Sequence, residues 1–266
     1  MVGFDLLGNL GRIGNQMFQY ASLKGISSYN NYDWIIPPEE SFGTLDPNVK
    51  NNDTSIYKAF ELKSIQNTGF IQGKVLEEKH FHFDENVFKN CPDNVSLNGY
   101  FQSEKYFKHI ESEIREDFKF KSEIYDAAKN AFESLDTKDV ISLHIRRGDY
   151  VTNPHHPLQN LNYYSSALNN FDSNLNVIIF SDDSQWVKNQ DFFESDRFLV
   201  SDGGDTYIDL CLMTLCKYHI IANSSYSWWG AWLSKSEKVI SPKNWFSGIN
   251  SHYNTKDIYC NDWIIL

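Results

Sequence analysis

Short runs of Val, Ile, Leu and Phe, each ending in a polar cluster, alternate along this chain with stretches whose apolar residues recur every third or fourth position. The runs read as buried strands and the spaced stretches as helices. Residues 2–7 form the first run. They lead into Gly8-Asn9-Leu10-Gly11-Arg12-Ile13-Gly14-Asn15-Gln16 and the helical pattern Met17–Ala21, which gives a strand, a tight turn and a helix. Residues 31–95 are irregular, with Pro37-Pro38 and strand candidates at 56–60, 69–76 and 80–83. A further strand is expected over Leu97–Phe101. An amphipathic helix is expected over Glu104–Phe118, with Phe107, Ile110 and Ile114 on one face, and a second helix over 122–134.

From the run Asp139–Leu143 onward the pattern is regular. A helix at 161–169, a strand at Val177–Phe180, a helix at Asp205–Cys216, a strand at His219–Ala222 and a helix at Tyr226–Leu233 follow one another. Such alternation builds a parallel sheet covered by helices. The charged stretch Asp136-Thr137-Lys138-Asp139 is the expected boundary, dividing the chain into 1–136 and 137–266.

The strand at 139–143 spills directly into His144-Ile145-Arg146-Arg147-Gly148-Asp149-Tyr150. Open α/β sheets place ligands outside the carboxyl ends of their strands. Two adjacent guanidiniums there call for an anion. Gly148 permits a close turn, and Asp149 is placed to brace one arginine while the other faces the ligand. The plainer reading is an ordinary surface pair. Arg147-Gly148-Asp149 also spells an integrin-ligand tripeptide, but one that follows a buried strand is an accident of composition. Ser181-Asp182-Asp183 sets carboxylates at a second strand end. Asn223-Ser224-Ser225 opens a helix with residues that serve as caps or as a phosphate cradle. The Gly8–Gln16 turn lacks the full dinucleotide fingerprint and reads as a backbone nest, and no GxxxxGK[ST] loop occurs. Together these groups suit a nucleoside diphosphate, with arginine and N–H groups on the phosphates and a carboxylate on guanine.

Composition narrows this further. The chain carries 24 basic against 35 acidic side chains, a formal charge of −11, which argues against nucleic acid as partner. Cys91, Cys211, Cys216 and Cys260 show no zinc spacing and read as reduced thiols of a cytoplasmic protein. His80 and His82 alternate with Phe81 and Phe83 but lack a third ligand nearby, so they read as edge-strand residues. The amino terminus is too short and too soon interrupted for a signal peptide or anchor. Sequons at Asn52, Asn94 and Asn223 carry no meaning without a secretory route.

The stretches Gly11–Ala21, Gly99–Ser103, His144–Tyr150, Asp209–Met213 and Asn223–Leu233 resemble, in order, the motifs of glycosyltransferase family 11, the α-1,2-fucosyltransferases. Residues 31–95 match only weakly. The resemblance implies a GT-B-like α/β fold of two Rossmann-like domains facing across a cleft, an N-terminal acceptor-side domain and a C-terminal GDP-sugar-binding domain. It implies inverting transfer of L-fucose from GDP-β-L-fucose to the 2-hydroxyl of a galactoside by a bacterial cytoplasmic enzyme of surface-glycan synthesis, with no metal and no cofactor. Carried onto this chain, Arg146 holds the β-phosphate and Asn15 points toward the fucose and acceptor as the second catalytic residue. His144 lies near the nucleoside, Ser224 and Ser225 bind phosphate, and Asp182 is placed by analogy as a guanine partner. Gly14 and Gln16 of the first turn complete the substrate site, with Arg147 and Asp149 as contacts or braces. Rival readings are a glycosyltransferase for another GDP-sugar and a non-catalytic carbohydrate-binding protein on a retained nucleotide fold.

Overall fold

A parallel strand covered on both faces needs buried residues at every position, and Val140–Ile145 supplies them. In the computed structural model, which describes residues 1–43, 54–135, 139–201 and 204–266, all six are buried. This strand is β5. Before it come β1 (Val2–Gly3), α1 (Ile13–Tyr29), β2 (Trp34–Ile35), α2 (Ile56–Ala59), β3 (Lys74–Glu77), α3 (Glu85–Lys89), β4 (Val95–Asn98), α4 (Glu111–Asp117) and α5 (Ser122–Glu133). After it come α6 (Leu161–Leu168), β6 (Asn176–Ser181), α7 (Ser184–Lys188), β7 (Phe198–Val200), α8 (Thr206–Leu215), β8 (Tyr218–Ile220), α9 (Ser225–Ser234), β9 (Lys238–Ser241) and β10 (Ile264–Ile265). The strands form two parallel sheets, in the orders β2-β1-β4-β3 and β10-β9-β8-β5-β6-β7.

The chain divides into one unit of Met1–Lys121 with Tyr253–Cys260 and another of Ser122–His252 with Asn261–Leu266. The division falls ahead of α5 rather than at 136/137. The reason is packing: α5 buries Ile124 and Ala128 and lies against α8, so it belongs with the second sheet. Residues 253–260 return to the first unit, where Asp257 accepts from Lys105 Nζ at 2.6 Å and from the Phe83 N–H at 3.0 Å. Asp136–Lys138 of the expected linker and Asn52 of the first sequon lie outside the described residues.

In the second unit, one face of the sheet packs Ile141, Leu143 and Ile145 against Tyr164, Ala167 and Val187. Alternate residues of β5 point the other way, as the strand period requires, and His144 meets Ser227 of α9 there. Trp228 and Trp229 are fully buried and Trp232 nearly so, which fixes α9 by large apolar areas. Gly230 lets α9 approach α8, since a Cβ there would stand 2.9 Å from the Met213 Cβ. The four cysteines are buried and unbridged.

Three expected elements of the first unit come out differently. Residues 56–59 form a helical turn, not a strand, because Ser55 Oγ accepts the Tyr57 N–H at 3.1 Å and caps it. Residues 80–83 are irregular, with the rings of His80 and His82 stacked at 5.0 Å. The helix expected over Glu104–Phe118 is two short 3-10 turns followed by α4, broken where Phe107 takes φ −133°. The break lets Tyr106 and Phe107 press their backbone onto α1 at Gly25, where any side chain would collide with the Tyr106 carbonyl. Among the described residues no helix is long and apolar enough to cross a membrane.

A buried ion pair ties this unit together. Lys24 and Asp117 are both buried, 2.8 Å apart, and Asp117 also accepts from Tyr20 Oη at 2.9 Å and the Ser64 N–H at 2.9 Å. Burial, and then the Asp117 charge, push the Tyr20 phenol up, so it stays a donor. Removing Asp117 leaves Lys24 only the exposed Glu113, 3.2 Å away, as counter-charge. Asp117→Leu is therefore expected to cost about 3–5 kcal/mol in denaturant unfolding, with Lys24→Met recovering part of it in the double variant. A loss under about 1 kcal/mol would show that the pair is not a structural anchor.

Candidate active site

The connections of the second sheet determine where a ligand fits. From β5 the chain builds outward through β6 and β7, then crosses to β8 on β5's other side and continues to β9 and β10. The carboxyl ends of β5 and β8 are thus the point at which the winding reverses, the crevice that binds ligands in open α/β sheets. His144, Arg146 and Arg147 leave β5 there, and Asn223, Ser224 and Ser225 leave β8.

His144 is buried, and its Nδ1 lies 2.9 Å from Ser227 Oγ, which lies 3.4 Å from the Ser224 carbonyl oxygen. With the hydroxyl proton on that carbonyl, Nδ1–H donates to Ser227. Burial, and then the neighbouring Arg146 charge, push the imidazole down to about 3. It is neutral at any physiological pH and offers hydrogen bonds, not charge.

The two arginines do not stand alone. Arg146 Nη1 lies 2.7 Å from Asp182 Oδ2, and its Nη2 pairs with Asp149. The Arg147 N–H donates to Asp182 Oδ1 at 2.8 Å, and its Nε to Asp183 Oδ2 at 3.0 Å. The Arg147 guanidinium also covers the Trp186 ring at 4.0 Å. Asp183 is held below the usual carboxylate range by the Arg147 hydrogen bond, and it caps α7 through the Trp186 N–H. A side chain on Gly148 would run into the Asp182 carboxylate, so the turn needs glycine.

These contacts revise the expected pairings. Asp149 braces Arg146, the arginine expected to face a ligand, while Arg147 is paired with Asp183. Asp182 spends both oxygens on the arginine loop, which is why it does not present a free carboxylate to a guanine edge. Sequence reading set Asp183 at a strand end without pairing it to Arg147, and it missed Trp186, because both come from beyond β6, remote in the chain from the arginines.

Ser224 precedes α9 in extended conformation, and its Oγ makes no capping bond to the first-turn N–H groups. Asn223 is buried and knots the crevice. It accepts Tyr150 Oη on its carbonyl at 3.1 Å and donates to the carbonyls of Pro157 and Trp245. Tyr150 in turn stacks on His156 at 4.6 Å. The 151–161 connection is held by these bonds.

The first sheet reverses between β1 and β4. Gly11 turns at φ +85°, and α1 begins at Ile13 with no side-chain cap. Asn15 folds its amide over Gly11 and accepts from Gln102 Nε2 at 2.7 Å. Gly14 is buried in the first turn of α1. Gln16 is fully buried, and its amide is consumed by the Thr54 carbonyl at 2.9 Å and the Ile56 N–H at 3.2 Å. It holds residues 54–56.

Comparison with known proteins bears on what these crevices do. The sequence profile described as Glycosyl transferase family 11 matches residues 4–266. An alpha-1,2-colitosyltransferase of Escherichia coli is 31% identical over 96% of both chains. The O-antigen biosynthesis glycosyltransferase WbnK of Escherichia coli is 43% identical, over 45% of this chain and 43% of that one. The bovine galactoside alpha-(1,2)-fucosyltransferase 2 is 25% identical over 89% of this chain and 71% of its own. Among solved structures, fucosyltransferase NodZ from Bradyrhizobium superposes with a TM-score of 0.56 at 13% identity, over 90% of this chain and 93% of that one. The architecture is GT-B-like.

The buried histidines of the second unit make its stability acid-sensitive. His219 donates from Nε2 to the Met213 carbonyl at 2.9 Å, and burial pushes it down to about 4. Both histidines titrate near 6.5 in the unfolded chain, so between that value and their folded values the unfolded state binds more protons. Their contribution is complete above pH 6.5 and is lost as pH falls toward 4, at up to about 1.4 kcal/mol per pH unit for each. Urea unfolding at pH 7 and 4.5 should show a smaller acid loss in His219→Gln than in wild type. Equal losses would contradict this.

Proposed function

The chain belongs to glycosyltransferase family 11, and on that premise we propose that it transfers L-fucose from GDP-β-L-fucose to the 2-hydroxyl of a galactoside, with inversion and without a metal. The observation that carries the reading is Arg146 at the β5–β8 reversal, where the amino terminus of α9 also opens. Guanidinium forks and helix amino termini are the two protein groups best suited to a diphosphate.

In the loop, two guanidiniums face three carboxylates: Asp149, Asp182 and Asp183. A diphosphate therefore binds by exchange. Asp149 is the partner that gives way, because its side chain is 50% exposed against 26% for Asp182, and water can solvate it once released. Arg146 keeps Asp182 and turns its other edge to the β-phosphate, while the amino terminus of α9 faces the remaining charge. As the fucose–oxygen bond breaks, charge grows on the departing GDP, and these donors bind it more tightly than the ground state. The second unit takes the GDP-sugar and the first the acceptor. The acceptor proton leaves late, to the departing phosphate or to a polar side chain.

The similarity to a colitosyltransferase supports a second reading of the donor. Colitose is fucose without its 3-hydroxyl, so one contact to that hydroxyl separates the two. The O-antigen relative favours a bacterial surface glycan as acceptor. The deciding experiment compares product formation from GDP-L-fucose and GDP-L-colitose over a panel of β-galactosides, by mass spectrometry. An α-1,2-fucosyl product formed preferentially supports the reading, and preferential colitosyl transfer replaces it. Turnover should survive excess EDTA. Loss of turnover, restored by Mg²⁺ or Mn²⁺, would overturn the metal-independent route.

Arg146→Lys keeps charge but loses the fork. It should raise the barrier by about 2–4 kcal/mol, the scale of one preorganised donor to a developing oxyanion, while GDP affinity falls much less. Arg147→Lys loses the Nε bond to Asp183 and much of the Trp186 contact, and should act mainly on stability. Single-turnover rates beside unfolding curves for both variants check this. The opposite pattern would exchange the roles of the two arginines.

A further inference from the structure

Arg146 is held by more than carboxylates. Its Cζ lies over the Tyr150 ring, 5.3 Å from the centroid, within the roughly 6 Å over which an aromatic face attracts a cation. The arginine side chain is only 16% exposed, and the attraction strengthens as water is withdrawn. The ring lies at the reversal of the second sheet. Tyr150 Oη donates to the Asn223 carbonyl at 3.1 Å, and the His156 ring lies against Tyr150 at 4.6 Å, 16° from parallel. His156 in turn packs 5.3 Å from the Phe246 ring. Burial pushes the His156 imidazole down, so at neutral pH it sets no second cation on Tyr150.

The exchange on Arg146 removes one of its supports. Once a phosphate replaces Asp149, Asp182 holds the guanidinium through Nη1, and a planar group on one hydrogen bond can still turn about it. A fork serves two phosphate oxygens only while it keeps its plane. From this geometry we infer that Tyr150 is a positioning residue, its ring keeping the Arg146 guanidinium in plane for the departing phosphate when Asp149 has given way. A ring suits this task better than another carboxylate, because it attracts the cation without neutralising it for the ligand. The inference deepens the fucosyl-transfer reading and rests on it.

Tyr150→Phe, followed by the mono-, di- and trifluorinated phenylalanines at the same position, keeps the ring's shape while draining its negative face. Relative to Tyr150→Phe, the single-turnover rate should fall stepwise, by about threefold to tenfold over the series. A ring that served only as packing would leave the rates level. Affinity for GMP, which lacks the β-phosphate, should stay level throughout and identifies folded variants. Tyr150→Leu removes the face altogether and should lose at least as much rate as the trifluorinated ring, again with GMP binding retained. Since the ring acts through the guanidinium, the fluorinated series should be level in an Arg146→Ala background. Level rates with Arg146 present, an equal fall without it, or GMP affinity falling in step with rate would each overturn the assignment. A wild-type enzyme that turns over neither GDP-fucose nor GDP-colitose overturns the reaction itself, and with it this role for Tyr150. Level rates in an active enzyme overturn the role alone.

Discussion

One carboxylate sets the geometry of the second unit's crevice. Asp182, at the end of β6, accepts the Arg147 backbone N–H with one oxygen and the Arg146 guanidinium with the other. A backbone bond and a side-chain bond from one rigid group fix both the course of the turn and the direction of the arginine. The turn must then pass so close to the carboxylate that only glycine fits at 148. Arg147, sent the other way, finds Asp183 and the Trp186 face. Side-chain bonds to charged partners contribute about 1.5–3 kcal/mol each, enough to hold a turn that no regular structure supports.

The same contacts shape the electrostatics. A chain of formal charge −11 gives little long-range help to an anionic ligand, so its cations must act locally. An arginine kept between two carboxylates is already oriented, and a phosphate that replaces one of them incurs little reorganisation. The neutral His144, its Nδ1–H given to Ser227, adds no charge, and the start of α9 brings the positive end of a helix.

What the sequence disclosed and what it hid divide along chain separation. The strand at 140–145, the helices at 122–133 and 161–168, and the polar clusters at strand ends are written in consecutive residues, and the pattern located them. Partnerships across elements are not written there. Nothing local says that Asp149 turns back to Arg146 while Arg147 reaches Asp183, or that Gln16 is used up on residues 54–56. The break at Phe107 arises from close packing of residues 106–107 on Gly25, which periodicity within 104–118 does not contain.

The central claim is that a diphosphate occupies the β5–β8 reversal by replacing Asp149 on Arg146. A crystal structure with GDP bound tests it most directly. The account predicts phosphate oxygens within hydrogen-bond distance of the Arg146 guanidinium and of the N–H groups that open α9, with Asp149 turned to solvent and Asp182 still holding Arg146. Phosphates seated elsewhere, with Arg146 still paired to both carboxylates, would contradict it.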